Sequence, residues 1–320
     1  MDYYKTPLTY AVKNKQNSVR EKSRSGGFFT AVSDVILEEQ GVVYGCILTE
    51  KLEAKHIRTN MMDERDEMRG SKYIQSKLGD TYINVKKDLL DGINVLFTGT
   101  SCQVAGLKSF LGKDYKNLFC VDIVCHGVPS FKIWKNYLEW QEKKLGIKIV
   151  NANFRNKSDF GWRAHIETLE CENGKKKDDY VFRNLFLGCN VLRPSCYECK
   201  YKRINHPGDI TIADYWGIEK IAPDFDDNKG VSLVLINNEK GRKIFKKTEK
   251  DLICFETNIE ASMQPALKGP FPKPEEREQF WKDLEDEGFE YIAKKYANDN
   301  IAKNIKIRFK SIRHKFNKRG

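Results

Sequence analysis

Two cysteines three positions apart, Cys196 and Cys199, sit in the stretch RPSCYECKYKRINHPGDITIADYWG, Arg193 to Gly217. Thiols at that spacing can hold one metal centre from a single turn and need two further ligands from elsewhere. Two more thiols stand where such ligands would be expected. The apolar run Ile93 to Phe97 leads into TGTSCQ with Cys102, and Leu118 to Val124 leads into CHGVPS with Cys125. Both runs read as buried strands followed by helices, and the C-terminal ends of strands in open α/β sheets are where ligands gather. A helix N-terminus also favours a thiolate. Four thiolates suit structural zinc or an iron–sulfur cluster. Here two come singly from distant strands rather than as a second close pair, and that scatter leans toward a cluster. His126 is open between ligand, proton donor and hydrogen-bonded loop residue, while Cys120 and Cys189 are alternative ligands. Cys46, Cys171 and Cys254 read as small buried hydrophobes.

Other groups are less specific. Ser25-Gly26-Gly27 opens a helix whose free N–H groups could face a phosphate or a flavin oxygen, or be plainly capped. Ser71, Lys72 and Tyr73 offer an anion three kinds of donor, or form a polar loop. Asp209 and Asp214, five residues apart on a strand, point to opposite faces, which argues against a catalytic pair. Trp162 and Trp216 could stack on a ring cofactor, although buried tryptophans are more often core. No Ser-His-Asp order, P-loop or G-x-G-x-x-G run is present, so hydrolase, NTPase and ordinary dinucleotide-fold readings lack support.

The elements that must carry these groups read as α+β: a mixed α/β first half and an antiparallel, sheet-rich second half, dividing near residues 146–150. Residues 1–24 read as a polar lead-in. A helix runs from Phe28 to Gly41, a strand from Val42 to Leu48, and a hairpin turns at Asn173-Gly174, with Tyr180 to Leu187 in the same antiparallel region. A last strand spans Val231 to Ile236, with a helix from Gly241. Residues 25–263 form the main domain. The proline-rich segment Gln264 to Pro274 reads as a linker to a tail within 264–320. At 320 residues, 40% hydrophobic and 32% charged, the chain is an ordinary globular protein. Its N-terminus lacks an apolar run and nothing approaches a membrane span, so a cytoplasmic protein with reduced thiols is expected. The net charge of +11 includes eight Lys or Arg in residues 301–320, leaving +3 (11 − 8) for the rest. Ile305, Phe309, Ile312 and Phe316 give that tail a helical apolar face. It could rest on its own domain or on a membrane surface or acidic partner. Nucleic-acid binding would rest on the tail alone and is not expected.

The segments SGGFF, VVYG, RGSKYIQS, VLFTGTSCQVAGLK, VDIVCHGVPS, FRNKSDFGW, RPSCYECKYK, GDITIADYWG and KGVSLVLIN, in this order, resemble the coenzyme F420 hydrogenase/dehydrogenase beta-subunit family over about Ser25 to Asn237. The resemblance implies an iron–sulfur flavoprotein that passes electrons between a 4Fe–4S cluster, FAD and a partner or deazaflavin. Members outside methanogens often sit among genes for exopolysaccharide synthesis. It implies a cluster on Cys102, Cys125, Cys196 and Cys199, with FAD near Ser25, Gly26, Gly27, Ser71, Lys72, Tyr73, Thr98 and Gly99 and His126 beside the cofactors. No catalytic base is assigned, because electron transfer needs none. Ser101 stands where the family usually has Pro and Ala213 where it has Gly, with little effect expected. Many relatives carry an N-terminal ferredoxin module, yet no cysteine precedes Cys46. Electrons would then come from a separate ferredoxin or redox subunit. The alternative is a non-catalytic partner-binding or scaffold protein on the same fold, with zinc or no metal.

Overall fold

The computed structural model describes residues 2–299; the basic tail 301–320 lies outside them. Its centre is an eight-stranded sheet. Strand β1 spans Tyr3–Asn14, β2 Val42–Leu48, β3 Ala54–Thr59, β4 Val95–Thr100, β5 Leu118–Ile123, β9 Ile210–Asp214, β10 Ser232–Asn238 and β11 Leu252–Thr257, and the order across the sheet is β11-β1-β10-β9-β5-β4-β2-β3. Strands β2, β4, β5 and β9 are mutually parallel, and antiparallel pairings complete each side. A separate three-stranded antiparallel sheet holds β6 (Ile149–Asn153), β7 (Glu167–Cys171) and β8 (Lys176–Asp179). The architecture is α+β.

The large sheet is buried on both faces, and its strands show it by strict alternation. Leu96, Val121, Val43, Val12 and Val234 face α1 (Phe28–Glu38) and α6 (Glu239–Thr248). On the other face, Val95, Phe97, Leu118 and Val42 meet α2 (Thr81–Leu90) and α3 (Ser101–Leu111). The chain leaves the sheet after β5 and returns at β9. The excursion begins with α4 (Phe131–Leu145), and the division expected near 146–150 falls inside it, between α4 and β6. Helix α5 (Val181–Leu187) and the C-terminal α7 (Arg277–Asp286) and α8 (Gly288–Ala297) pack with α4 around Trp134, whose indole N–H donates to the Leu52 carbonyl at 2.8 Å.

Several expectations are corrected. Residues 1–24 are no lead-in: β1 lies between β10 and β11, with Ala11 and Val12 fully buried. Its polar residues alternate with apolar ones and find partners from the far end of the chain, such as Lys13 Nζ to the Phe225 carbonyl. Tyr180 to Leu187 is helical beyond Tyr180, because Val181, Phe182, Leu185 and Phe186 bury one helical face. The second half is rich in antiparallel pairings, as expected, and β9 adds one parallel pairing with β5. Gln264 to Pro274 is not a free linker: it holds a helical turn at Pro265–Lys268 whose Leu267 is buried against Leu233 and Leu235.

Because β1 supplies the ladder for two strands, deleting residues 2–14 should abolish the cooperative thermal transition followed by circular dichroism, a loss on the order of the 5–15 kcal/mol of a whole domain. A shift of only a few degrees would return the segment to the status of a lead-in.

Candidate functional site

The topology decides where chemistry can collect. Parallel strands β2, β4, β5 and β9 end on one edge, and the pairings Val12↔Ser232 and Ser232↔Asp214 bring the end of β1 and the start of β10 to that same edge. Along it lie Ser25-Gly26-Gly27, the Ser71-Lys72-Tyr73 loop, Thr98-Gly99, Cys102 and Cys125.

One end is a basic cleft. Arg24, Lys72, Arg155 and Lys157 act on one another there, together with Tyr73 and His165. The carboxylate facing Arg24, Arg155, Lys157 and His165 is Asp214, already bonded to Arg155 Nη1 at 2.5 Å and to the Trp162 indole N–H at 2.7 Å. Among the described residues Arg24 reaches only a long contact of 3.4 Å to Asn153, and its buried Nε has no partner there. Burial and the nearby Arg155 hold its pKa down to about 10. Lys72 donates to the Glu67 and Arg69 carbonyls, and burial, opposed by Cys46 and Glu67, brings it down to about 8. Lys157 donates to the Arg20, Ser25 and Lys229 carbonyls, while burial and then Arg24 and Arg20 push it down to about 7. His165 is neutral, burial and Arg155 lowering it to about 3. Cations held this way are short of negative charge, and an anion entering the cleft would be rewarded by all of them.

The glycines of the cleft wall are explained by packing. A Cβ on Gly26 would lie 2.1 Å from the Val12 carbonyl oxygen, and Gly27 takes φ +90° at the start of α1. The Ser25 hydroxyl is spent on the Val231 carbonyl at 2.6 Å and that of Thr98 on the Tyr44 carbonyl at 3.0 Å. A Cβ on Gly99 would meet the Gln103 amide oxygen at 3.0 Å, and that oxygen accepts from the Thr100 N–H that starts α3. Trp162 and Trp216 stack on each other at 4.9 Å.

The other end is a thiol corner. Cys125 is acted on by Cys102 and Cys196, and Cys196 by Cys199 and Cys102, so the four share one neighbourhood. Burial pushes Cys125 up to about 12, against a backbone hydrogen bond from Gly127 and the charge of Lys202. Cys196 is raised by burial, opposed by a backbone bond from Val128 and by Lys202. Lys202 is 5% exposed and donates to the His126 carbonyl at 2.7 Å, which makes it the buried cation facing the thiols. His126 is neutral, burial and Lys202 lowering it to about 4, with Nε2 3.2 Å from the Phe186 carbonyl and 3.4 Å from Cys189 Sγ. Cys120 belongs to another place: it is buried in the core beside Asp209, and burial pushes it up to about 12.

Among the described residues no three ligand-type side chains converge on a metal ion. Tetrahedral zinc would need sulfurs about 3.8 Å apart, from a bond of about 2.3 Å, whereas a four-iron cube presents its irons at separate corners. In donor chemistry the corner fits a thiolate-bound centre: four thiols, backbone N–H groups on the sulfurs and a buried lysine. Residues that sequence reasoning missed are Arg24, Arg155, Lys157, His165 and Lys202. For Arg155, Lys157 and Lys202 the signal was present as basic residues inside the motifs FRNKSDFGW and RPSCYECKYK, but charge alone does not tell a buried cation from a solvated one. The two ends are joined by rings: Tyr73 stacks on Phe186 at 5.1 Å, and Phe186 meets His126 at 4.6 Å.

Residues 93–261 match the family model that describes the C terminus of the coenzyme F420 hydrogenase/dehydrogenase beta subunit. The chain belongs to this family. Membership gives it a redox role of the oxidoreductase type. A solved structure of the F420-reducing NiFe hydrogenase complex from Methanosarcina barkeri, studied by xenon derivatization, contains a similar chain: TM-score 0.55, 17% identity, 90% of each chain covered. At that identity the likeness shows the shared fold. No curated protein matches the chain. Among the described residues no helix is long and apolar enough to cross a membrane.

The cleft makes a prediction in pH. A bound anion stabilises the ammonium forms of Lys72 and Lys157, whose charge is lost as pH climbs through about 8 and about 7. Inorganic pyrophosphate should therefore bind, by calorimetry, more weakly at pH 9 than at pH 7, and Lys72→Met should flatten the dependence. Arg24→Ala should cost about ten- to a hundredfold in affinity, the size of a hydrogen bond to a charged group. Affinity independent of pH and of Arg24 would discard the cleft as an anion site.

Proposed function

We propose that the protein is an iron–sulfur flavoprotein electron-transfer subunit, with FAD in the basic cleft and a 4Fe–4S cluster on Cys102, Cys125, Cys196 and Cys199. The observation that carries this reading is adjacency: an anion-deficient cleft and a four-thiol corner lie on one sheet edge, joined by Tyr73, Phe186 and His126. FAD, when bound, exchanges two electrons with a substrate and single electrons with a cluster. The chain's own residues do the rest. Arg24, Lys72 and Arg155 would neutralise the pyrophosphate, Tyr73 would offer a ring face, and Ser25 to Gly27 with Thr98 and Gly99 would form the tight wall. Lys202 would offset the negative charge of a thiolate-bound centre. His126 and Phe186 stand between the two sites, their rings 4.6 Å apart.

Electrons would arrive from a separate ferredoxin or redox subunit, and a partner protein accords with the multi-subunit complex that holds the similar chain. Surface polysaccharide metabolism is the setting the family resemblance favours, in the cytoplasm and with the basic tail available to a membrane surface. The competing reading is a scaffold protein with zinc or no metal.

Anaerobic purification followed by a visible spectrum and iron, sulfide, zinc and flavin analysis separates the two. The expected result is bound flavin and roughly four irons per chain, the content of one 4Fe–4S cluster. Zinc, or neither metal nor flavin after anaerobic reconstitution, would sink the redox-cofactor reading.

A further inference from the structure

Behind the thiol corner lies a buried polar network that touches every segment carrying one of the four cysteines. Ser101 immediately precedes Cys102, Asp122 and Ile123 lie just before Cys125, and His206 follows Cys199 by seven residues. Ser101 Oγ is 3.0 Å from His206 Nδ1, which is 3.3 Å from Asp122 Oδ2. The Ser101 hydroxyl also reaches the Ile123 carbonyl at 3.3 Å. Asp122 accepts in addition from the Gly208 N–H at 3.2 Å and the Thr211 hydroxyl at 2.6 Å. Ser101, Asp122 and His206 are 3%, 0% and 4% exposed. Nε2 of His206 is buried with no partner among the described residues, so the ring's hydrogen bonding there is concentrated on Nδ1.

These contacts are arranged for one purpose that packing alone would not need. Strand β5 and the start of α3 are already joined by the sheet and by the Leu107 and Val104 core. The loop from Cys199 to Gly208 is not: between the paired cysteines and β9 it has little regular structure. Lys202 ties it to the His126 carbonyl at 2.7 Å, the Pro207 carbonyl accepts from Lys108 and Tyr3 at 2.6 Å each, and His206 joins it to the segments of Cys102 and Cys125 through the network. We propose that Ser101, His206 and Asp122 are positioning residues, holding the three cysteine-bearing segments in register for a shared centre before any centre binds. With Nδ1 protonated, the ring donates toward the Asp122 carboxylate and Ser101 Oγ, and the serine proton goes to the Ile123 carbonyl. Ser101 is thus more than a small residue at the start of α3. The hydroxyl there couples Cys102 to the loop of Cys196 and Cys199. The proposal rests on the reading above that the four cysteines serve one centre.

The test uses the full chain, stripped of metal by a chelator and kept reduced, and reads thiol proximity with the fluorogenic dithiol cross-linker dibromobimane, with linked peptides mapped by mass spectrometry. Wild type should link Cys102 or Cys125 to Cys196 or Cys199. Ser101→Ala and His206→Leu should lower the rate of that link by about three- to tenfold, the weight of one hydrogen bond. His206→Asn, whose amide N–H takes the place of Nδ1–H, should keep it. Ser101→Pro guards against a folding artefact, because proline is at home in the first helical position. It should leave the melting temperature in place yet lower cross-linking as Ser101→Ala does. An unchanged rate in the Ala and Pro variants overturns the proposal, and so does a His206→Asn variant that loses as much as His206→Leu. A wild-type chain that forms no such link overturns it as well. A wild-type chain that cross-links but takes up no iron on reconstitution sinks the cluster and leaves the positioning role standing. One that loads iron while the variants cross-link as wild type sinks the positioning role alone.

Discussion

The ion pair of Arg155 with Asp214 joins the two halves of the molecule. Arg155 follows β6 in the excursion, and Asp214 ends β9 in the large sheet. The guanidinium is 1% exposed, and it donates to the Trp162 carbonyl at 2.5 Å and the Ala164 carbonyl at 3.3 Å as well as to the carboxylate. Asp214 takes a second donor from the Trp162 indole. Burial works against the charged arginine, but Asp214 and Tyr73 hold its pKa above the usual value. Such a pair is weak support for net stability, because desolvation consumes much of the attraction, yet breaking it strands a buried charge at roughly 3–5 kcal/mol. Its effect is geometric. It holds the guanidinium 4.8 Å over the Trp216 ring.

With Asp214 committed in this way, Arg24 and Lys157 are left without a carboxylate of their own. A protein under selection for stability alone would not bury them so, since carbonyl oxygens compensate an ammonium only in part. Burial lowers the pKa of both Lys72 and Lys157, and the Arg24 charge lowers each further. Perturbed groups gathered at the C-terminal edge of parallel strands are the usual mark of a binding site rather than of structural repair. The thiol corner shows the opposite sign of the same imbalance: neutral thiols raised by burial, with one buried lysine waiting for negative charge. The two imbalances lie on either side of Phe186.

Much of the large sheet was legible because its strands obey simple periodicity. Val42 to Leu48 emerged with the bounds expected, and the runs at Leu118 and Val231 within a residue or two. The misses have physical causes. β1 is polar at its start and alternates in a way that a solvated lead-in also shows; only partners more than two hundred residues away make it a strand. Val181 to Leu187 is short enough that helix and strand periods cannot be told apart. β4 runs on through Thr98 to Thr100 because these polar residues pair with Val121, Asp122 and Ile123, a ladder that hydrophobicity cannot reveal. The cysteines were legible as spaced ligands, whereas the cations were not, since a lysine's burial is a property of the fold around it.

The same limit explains Ser101. Read along the chain, it is a small residue at a helix start, interchangeable with others of its size. In space its hydroxyl is the point at which α3, the end of β5 and the loop after the Cys-x-x-Cys pair meet. Three segments separated by as many as 105 residues cannot be held by local propensity, and apolar packing fixes their distance more firmly than their register. A directional bond to a buried imidazole fixes register. The thiol corner therefore draws its order from hydrogen bonds one layer behind it, and the polarity of that layer is what a sequence pattern of apolar strands and spaced cysteines leaves unspoken.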